Sequence, residues 1–236
     1  MEDKQNISLI QNINEEDILE YQEIFSSSKI VQIKNIVKDE FAEELYKYAF
    51  LEKNWNLSSG FDNVKFDKPL KKQFEKANDL QIKNINNKFK NDSFSYIFHR
   101  TMNNNKPSYL EFLIRKQLNS PKMITLIKEI TNIEISSLST LFLSKYKSGH
   151  FLNPHSDKGN GKIAFVLNLT KFWKPQYGGV LHFLDEERKN IIDSYVPDFN
   201  NLILFEVPED NDRPHFVSHI APNIKHTRYA ITGWYK

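Results

Sequence analysis

Tyr146-Lys-Ser-Gly-His-Phe-Leu-Asn-Pro-His155-Ser-Asp157 is the stretch on which the reading of this chain turns. On an extended segment residues i and i+2 point to one face, so His155 and Asp157 converge while Ser156 turns away. An imidazole and a carboxylate on one face need a further ligand to hold a metal, and a neighbouring strand must supply it. Six of the seven histidines, all except His99, lie between Tyr146 and Trp234, so the candidates are concentrated there. Two imidazoles and one carboxylate cover one face of an octahedral ion and leave the opposite positions open, a ligand set suited to non-haem iron(II).

His-x-Asp alone is a common tripeptide, equally at home in a surface loop beside Gly159 and Gly161. Four downstream features add to it. Gly178-Gly179 followed by Val180–Leu184 reads as a turn feeding a strand. Leu202–Val207, closed by Pro208, is a short apolar run suited to a buried strand. Pro214-His215-Phe-Val follows, with His219 close behind; on a regular strand both histidines share a face, so parity does not choose between them. Arg228 then opens a strand-like run that includes Thr232 and Trp234. A guanidinium near a metal with open positions points to a co-substrate bearing a carboxylate, which the planar fork binds bidentately.

These motifs, in this order, resemble the catalytic core of Fe(II)/2-oxoglutarate-dependent dioxygenases. The likeness is to the prolyl hydroxylase branch, which includes the hypoxia-inducible-factor prolyl hydroxylases. It is carried by Tyr146 ahead of His-x-Asp, the Asn160-Gly161 turn after it and Lys171-Phe-Trp173 before Gly-Gly. Pro-His-x-Val and the closing Arg228-Tyr-Ala-Ile-Thr-Gly-Trp-Tyr complete it. The resemblance implies that His155, Asp157 and His215 are the iron ligands, although the His219-to-Arg228 interval also fits the family. It implies that Arg228 holds the distal carboxylate of 2-oxoglutarate, with Thr232 beside it and Tyr146 lining the same pocket. Asn168 stands where the family commonly has a second co-substrate tyrosine, and is expected to donate in its place. The implied cofactor is Fe(II), with 2-oxoglutarate and O2 as co-substrates. The implied reaction hydroxylates an unactivated C–H and releases succinate and CO2. Asp157 argues against halogenation, which needs that carboxylate position vacated for halide.

The target implied by the branch is a prolyl residue of a protein or peptide, with Trp234 as an aromatic wall and Trp55 as a further substrate contact on a covering loop. The alternative within the class is a free amino acid or small metabolite. Outside it stand a cupin-like metal protein without oxygenase activity and a catalytically silent binding module.

Composition bounds the rest. Hydrophobic residues at 39% and aromatics at 13% support a substantial core, and a net charge of +2 builds no case for nucleic acid or an acidic membrane. Without cysteine there are no disulfides or thiolate ligands, which fits a reducing compartment. No leader or membrane-spanning run is evident, so a cytoplasmic protein is expected. The N-terminal half reads as a helix around Ile18-Leu19, a strand over 29–37, a helix capped by Asp39 and a loop from Trp55 to Asp67. A lysine-rich helix from Pro69 with Leu70, Phe74 and Ala77 follows, then a strand Phe94–His99 and helices over 107–118 and 121–131. Ser120 and Pro121 mark the last start. From Leu138 short strands take over at 138–147, 163–169, 179–184, 202–207, 214–220 and 226–235. The expected class is α+β: a jelly roll or barrel, and by resemblance a double-stranded β-helix. Residues 1–236 are expected to form a single domain, with 1–137 as a mainly helical support and 138–236 as the catalytic β-core.

Overall fold

The computed structural model describes residues 8–61, 64–65, 68–69, 79–91, 93–101 and 108–236. Its first half runs α1 (Glu15–Ser28), β1 (Ile30–Ile33), α2 (Asp39–Leu51), β2 (Trp55–Phe61), β3 (Val64–Lys65), β4 (Lys68–Pro69), α3 (Asp79–Lys90), β5 (Ser95–Thr101), α4 (Tyr109–Leu118) and α5 (Pro121–Thr131). Its second half runs β6 (Leu138–Tyr146), β7 (Phe151–His155), β8 (Ile163–Asn168), β9 (Leu181–Leu184), β10 (Ile191–Tyr195), β11 (Asn201–Glu206), β12 (His215–Val217) and β13 (Arg228–Tyr235).

Period-two alternation sorts the strand residues into two cores. On β8, Ile163, Phe165 and Leu167 join a cluster shared with the helices, while Ala164 and Val166 face the interior of the roll. On β13, Tyr229 and Ile231 go outward and Ala230 inward. Both faces of β8 are covered, which is why it reads as a near-continuous apolar run. The helices pack on the outer face. In α5 the spacing of Met123, Leu126, Ile127 and Ile130 presents one buried stripe, the pattern of an amphipathic helix. Its start is capped by Ser120, whose hydroxyl accepts from the Met123 N–H, and α4 begins with a reciprocal capping box between Ser108 and Glu111, satisfying N–H groups that have no partner inside the helix.

The pairing path β1-β11-β8-β13-β6-β5-β7-β12-β9-β10 is a sheet that folds over on itself. The fold-over runs through β5, which pairs with β6 through His99↔Lys145 and Arg100↔Ser144 and with β7 through Tyr96↔Leu152 and Ile97↔Phe151. One strand thereby borders both walls of the roll. The result is a jelly roll with helices on one face, in the α+β class expected. Gly178 shapes the turn into β9: its φ is +74°, and a Cβ there would lie 1.9 Å from the His219 carbonyl oxygen. Only glycine fits both constraints.

Several local expectations are corrected. The segment from Trp55 begins as a strand, not a loop: β2 pairs with β5 from Trp55↔Thr101 to Phe61↔Ser95. Ser58-Ser59-Gly60 carries no apolar alternation, and its place in a sheet is dictated by the partner strand. Beside the helices α1 to α5, residues 1–137 contribute β1 to β5 to the sheet. Asp39 is the first residue of α2 and not its cap, and Lys38 at the cap position makes no side-chain bond. The strand expected over 29–37 is confined to β1, since Asn35 at φ 51° turns the chain. β10 was not anticipated. Pro69 lies in β4, and the helix placed on Leu70, Phe74 and Ala77 falls outside the described residues.

Candidate metal and co-substrate site

His155 ends β7, Asp157 lies just beyond it, and His215 opens β12. The β7–β12 register pairs His155 directly with His215. The ring centroids are 4.3 Å apart, and one ligand atom from each of His155, Asp157 and His215 lies within 4.8 Å of the others. The local hydrogen bonds fix how the imidazoles are presented. His155 Nδ1 lies 3.0 Å from the Asn153 carbonyl oxygen and His215 Nδ1 lies 3.1 Å from that of Arg213. A carbonyl only accepts, so each Nδ1 carries the proton and each Nε2 offers a lone pair. Those nitrogens face the carboxylate, at 3.6 Å from Asp157 Oδ1 and 3.5 Å from Oδ2. Backbone carbonyls holding the outer nitrogen are the usual way a metal-binding histidine is oriented.

The electrostatics agree. Burial opposes ionisation of Asp157, yet the neighbouring His215 and His155 outweigh it and hold its pKa at about 2. The Trp234 indole contributes in the same direction, although its N–H makes no hydrogen bond of ordinary geometry. Burial, reinforced by His155 and opposed by Asp157, lowers His215 to about 4. At neutral pH the pocket therefore presents a carboxylate beside a neutral His215 imidazole, the protonation states that bind a cation.

The ligands open onto a cavity of about 470 Å³. Tyr146, Arg228, Thr232 and Trp234 line it; the last three share the inward face of β13 and Tyr146 stands opposite Arg228 on β6. Arg228 is only 3% exposed, its guanidinium lies 5.0 Å from the Tyr146 ring centre, and its Nε has no partner. No carboxylate pairs with it among the described residues. A buried cation without a counter-ion is costly, and an anionic ligand removes that cost. Asn168 lies on the inward face of β8, two residues from the lining residue Val166 and opposite Ala230. It is 1% exposed, and both its amide atoms lack partners among the described residues. A dicarboxylate bound beside Arg228 would accept from two of these orphaned groups, the Arg228 Nε–H and the Asn168 Nδ2–H.

Two sequence candidates lie elsewhere. Trp55 is 3% exposed and packs against Tyr229 in the helix-side core. It occupies the outward face of β2, with Leu57, whereas Ser58 faces the cavity. It is not a wall of the cavity. His219 stacks on Phe151 with ring centroids 4.0 Å apart and does not join the ligand cluster. Sequence reading also missed one wall. Phe94, Tyr96, Phe98 and Arg100, alternate residues along and just before β5, all line the cavity. The signal was the alternation itself, but nothing local says that the face belongs to a site more than fifty residues away in sequence.

Residues 141–236 match the model of the 2OG-Fe(II) oxygenase superfamily. Among curated proteins, mouse prolyl 3-hydroxylase OGFOD1 is 29% identical over 114 residues, 46% of this chain and 20% of that protein. The chain thus spans about a fifth of the length of that relative. Among solved structures, a Pseudomonas putida prolyl-4-hydroxylase aligns with a TM-score of 0.58 at 12% identity, covering 93% of this chain and 98% of the other. A Trichoplax adhaerens prolyl hydroxylase, solved with a peptide fragment of the hypoxia-inducible-factor oxygen degradation domain, aligns at 0.56 and 13% identity, covering 95% and 94%. At those identities the structural likeness speaks for the fold. No helix among the described residues is long and apolar enough to cross a membrane.

Proposed function

We propose that this chain, whose residues 141–236 match the 2OG-Fe(II) oxygenase superfamily, is a prolyl-hydroxylase-like oxygenase that hydroxylates a prolyl residue of a protein or peptide. The observation that carries the reading is the convergence of His155, Asp157 and His215 on a cavity whose wall also holds Arg228, buried and without a carboxylate partner among the described residues. Iron(II) with 2-oxoglutarate and O2 supplies oxidation of an unactivated C–H to an alcohol, with release of succinate and CO2. The protein's part is to bind, orient and exclude water.

His155 and His215 would hold the metal through Nε2, and Asp157 would give the charge. Arg228 would bind the distal carboxylate, a charge-assisted contact that fixes the co-substrate's direction. The Tyr146 ring packs against the guanidinium, Thr232 lines the same wall, and the Asn168 amide would donate a hydrogen bond to the co-substrate. The aromatic walls from Phe94, Tyr96, Phe98 and Trp234 keep the reacting carbon dry and suit an apolar pyrrolidine ring. A pocket of this size, within the roughly 300–1,000 Å³ typical of small-ligand sites, takes the co-substrate and one side chain.

Incubating the protein with Fe(II), 2-oxoglutarate and proline-containing peptides, with free proline in parallel, tests the reading. Succinate formed in proportion to an added oxygen atom on peptidyl proline is expected. Oxygen added to free amino acids alone would assign the site to a small metabolite. Absence of succinate in every arm would reject the oxygenase reading.

A further inference from the structure

Both ligand histidines follow a proline, in Asn153-Pro154-His155 and in Arg213-Pro214-His215. None of the other five histidines does, so the pattern singles out the two imidazoles of the metal site. It has a conformational meaning. Proline fixes its own φ at about −65° and confines the residue before it to extended backbone. The carbonyl two residues ahead of each histidine therefore has little freedom. That carbonyl receives the Nδ1 proton, at 3.0 Å from His155 and 3.1 Å from His215.

The residue that carries each carbonyl is also tied down by its side chain. Asn153 donates through Nδ2 to the Ser93 carbonyl at 3.2 Å and to Ser95 Oγ at 3.3 Å. Asn153 and Ser95 are both buried, and these contacts join β7 to the start of β5. Arg213 donates through Nη2 to the Glu206 carboxylate at the end of β11, and through Nη1 to the Ser28 carbonyl at the end of α1, each at 3.3 Å. One anchor is thus neutral and buried, and the other is ionic and partly exposed. We propose that Asn153 and Arg213 are positioning residues for the metal site: each aims the following histidine through its backbone carbonyl, and its side-chain anchors hold that carbonyl in place. The inference rests on the metal site of the function proposed above, and it adds to that site two residues that supply no ligand atom. The β7–β12 register sets His155 against His215, so a slip of either anchor moves one lone pair away from the point that the other addresses.

Metal binding by the whole chain tests this, with Mn(II) for affinity and Co(II) absorption for ligand geometry. Arg213→Met and Asn153→Leu keep every ligand and remove the anchors. Each should weaken Mn(II) binding by about 10–100-fold, the cost of losing an outer partner of a ligating histidine. Arg213→Lys, which keeps the charge opposite Glu206 but not the two-armed contact, should recover part of the loss. Lys128→Met, which breaks the ion pair of α5 with Glu134, should bind as the wild type does. A merely structural role would lower the melting temperature and leave the Co(II) bands of the folded, metal-saturated variants in place. The positioning role shifts those bands. Should Arg213→Met not fold, Glu206→Gln removes the same ion pair and is read in its place. Wild-type affinity and wild-type Co(II) bands in both Arg213→Met and Asn153→Leu overturn the proposal. A wild-type chain that binds neither ion rejects the metal site itself, a failure distinct from that of the anchors.

Discussion

His155 and His215 stand directly opposite each other across the β7–β12 pair, their rings 4.3 Å apart and their Nδ1 protons given to backbone carbonyls. Two lone pairs are therefore aimed at one point beside a carboxylate. His215→Ala should weaken metal binding by more than the roughly 10–100-fold that loss of a mere orienting partner costs. His219→Ala, which removes only a ring stacked on Phe151, should leave it intact. Mn(II) titration of both variants checks this, and the opposite ranking would move the third ligand to His219.

Arg228 is buried on the Tyr146 ring without a carboxylate partner among the described residues. Arg228→Ala should raise the 2-oxoglutarate dissociation constant by about tenfold to a hundredfold, the worth of a hydrogen bond to a charged group. Arg228→Lys should recover part of it, because the charge returns and the planar fork does not. Equilibrium binding of 2-oxoglutarate to the Mn(II) form is the measurement. Unchanged affinity in Arg228→Ala would show that another cation holds that carboxylate.

Asn168 sets stability against binding. Its buried amide has no partner among the described residues, and an unsatisfied buried polar group costs about 1–3 kcal/mol. Asn168→Leu, of similar size, should therefore raise the urea midpoint of the ligand-free protein and weaken 2-oxoglutarate binding. A variant that is stabilised with unchanged co-substrate affinity would remove Asn168 from the site.

The His99–His150 pair predicts an acid limb. The rings lie 4.9 Å apart. Burial lowers His99 to about 3, helped by His150 and by Lys145 and Lys147, and lowers His150 to about 4. The unfolded chain binds these protons near 6.5, so between there and about 4 the unfolded state holds more of them. Stability should be fully present above about pH 6.5 and fall as pH drops towards 4. For His150 alone the loss is on the order of 3 kcal/mol, at about 1.4 kcal/mol per unit. His150→Leu should flatten this limb in urea melts across pH 4 to 7, and an unchanged slope would show that the His150 proton is not what the fold excludes.

The sequence alone determined what depends on near neighbours. His155 and Asp157 are two residues apart on an extended chain, so their convergence follows from strand geometry. Ser120-Pro121 starts α5 because a hydroxyl cap and a fixed φ act within one turn. Arg228, Thr232 and Trp234 share a face by parity, and parity is legible in any strand. Tertiary structure decided what depends on which strands meet. His215 and His219 have the same parity, and only the pairing of β12 with β7 brings one of them opposite His155. Trp55 fell on the helix side because β2 pairs with β5 in a register that turns Ser58 towards the cavity. Arg100 was silent in the sequence for the same reason. Its face was readable, but the cavity it faces exists only after β5 has joined both walls of the roll, and long-range pairing of that kind is set by packing across the sheet and not by local spacing.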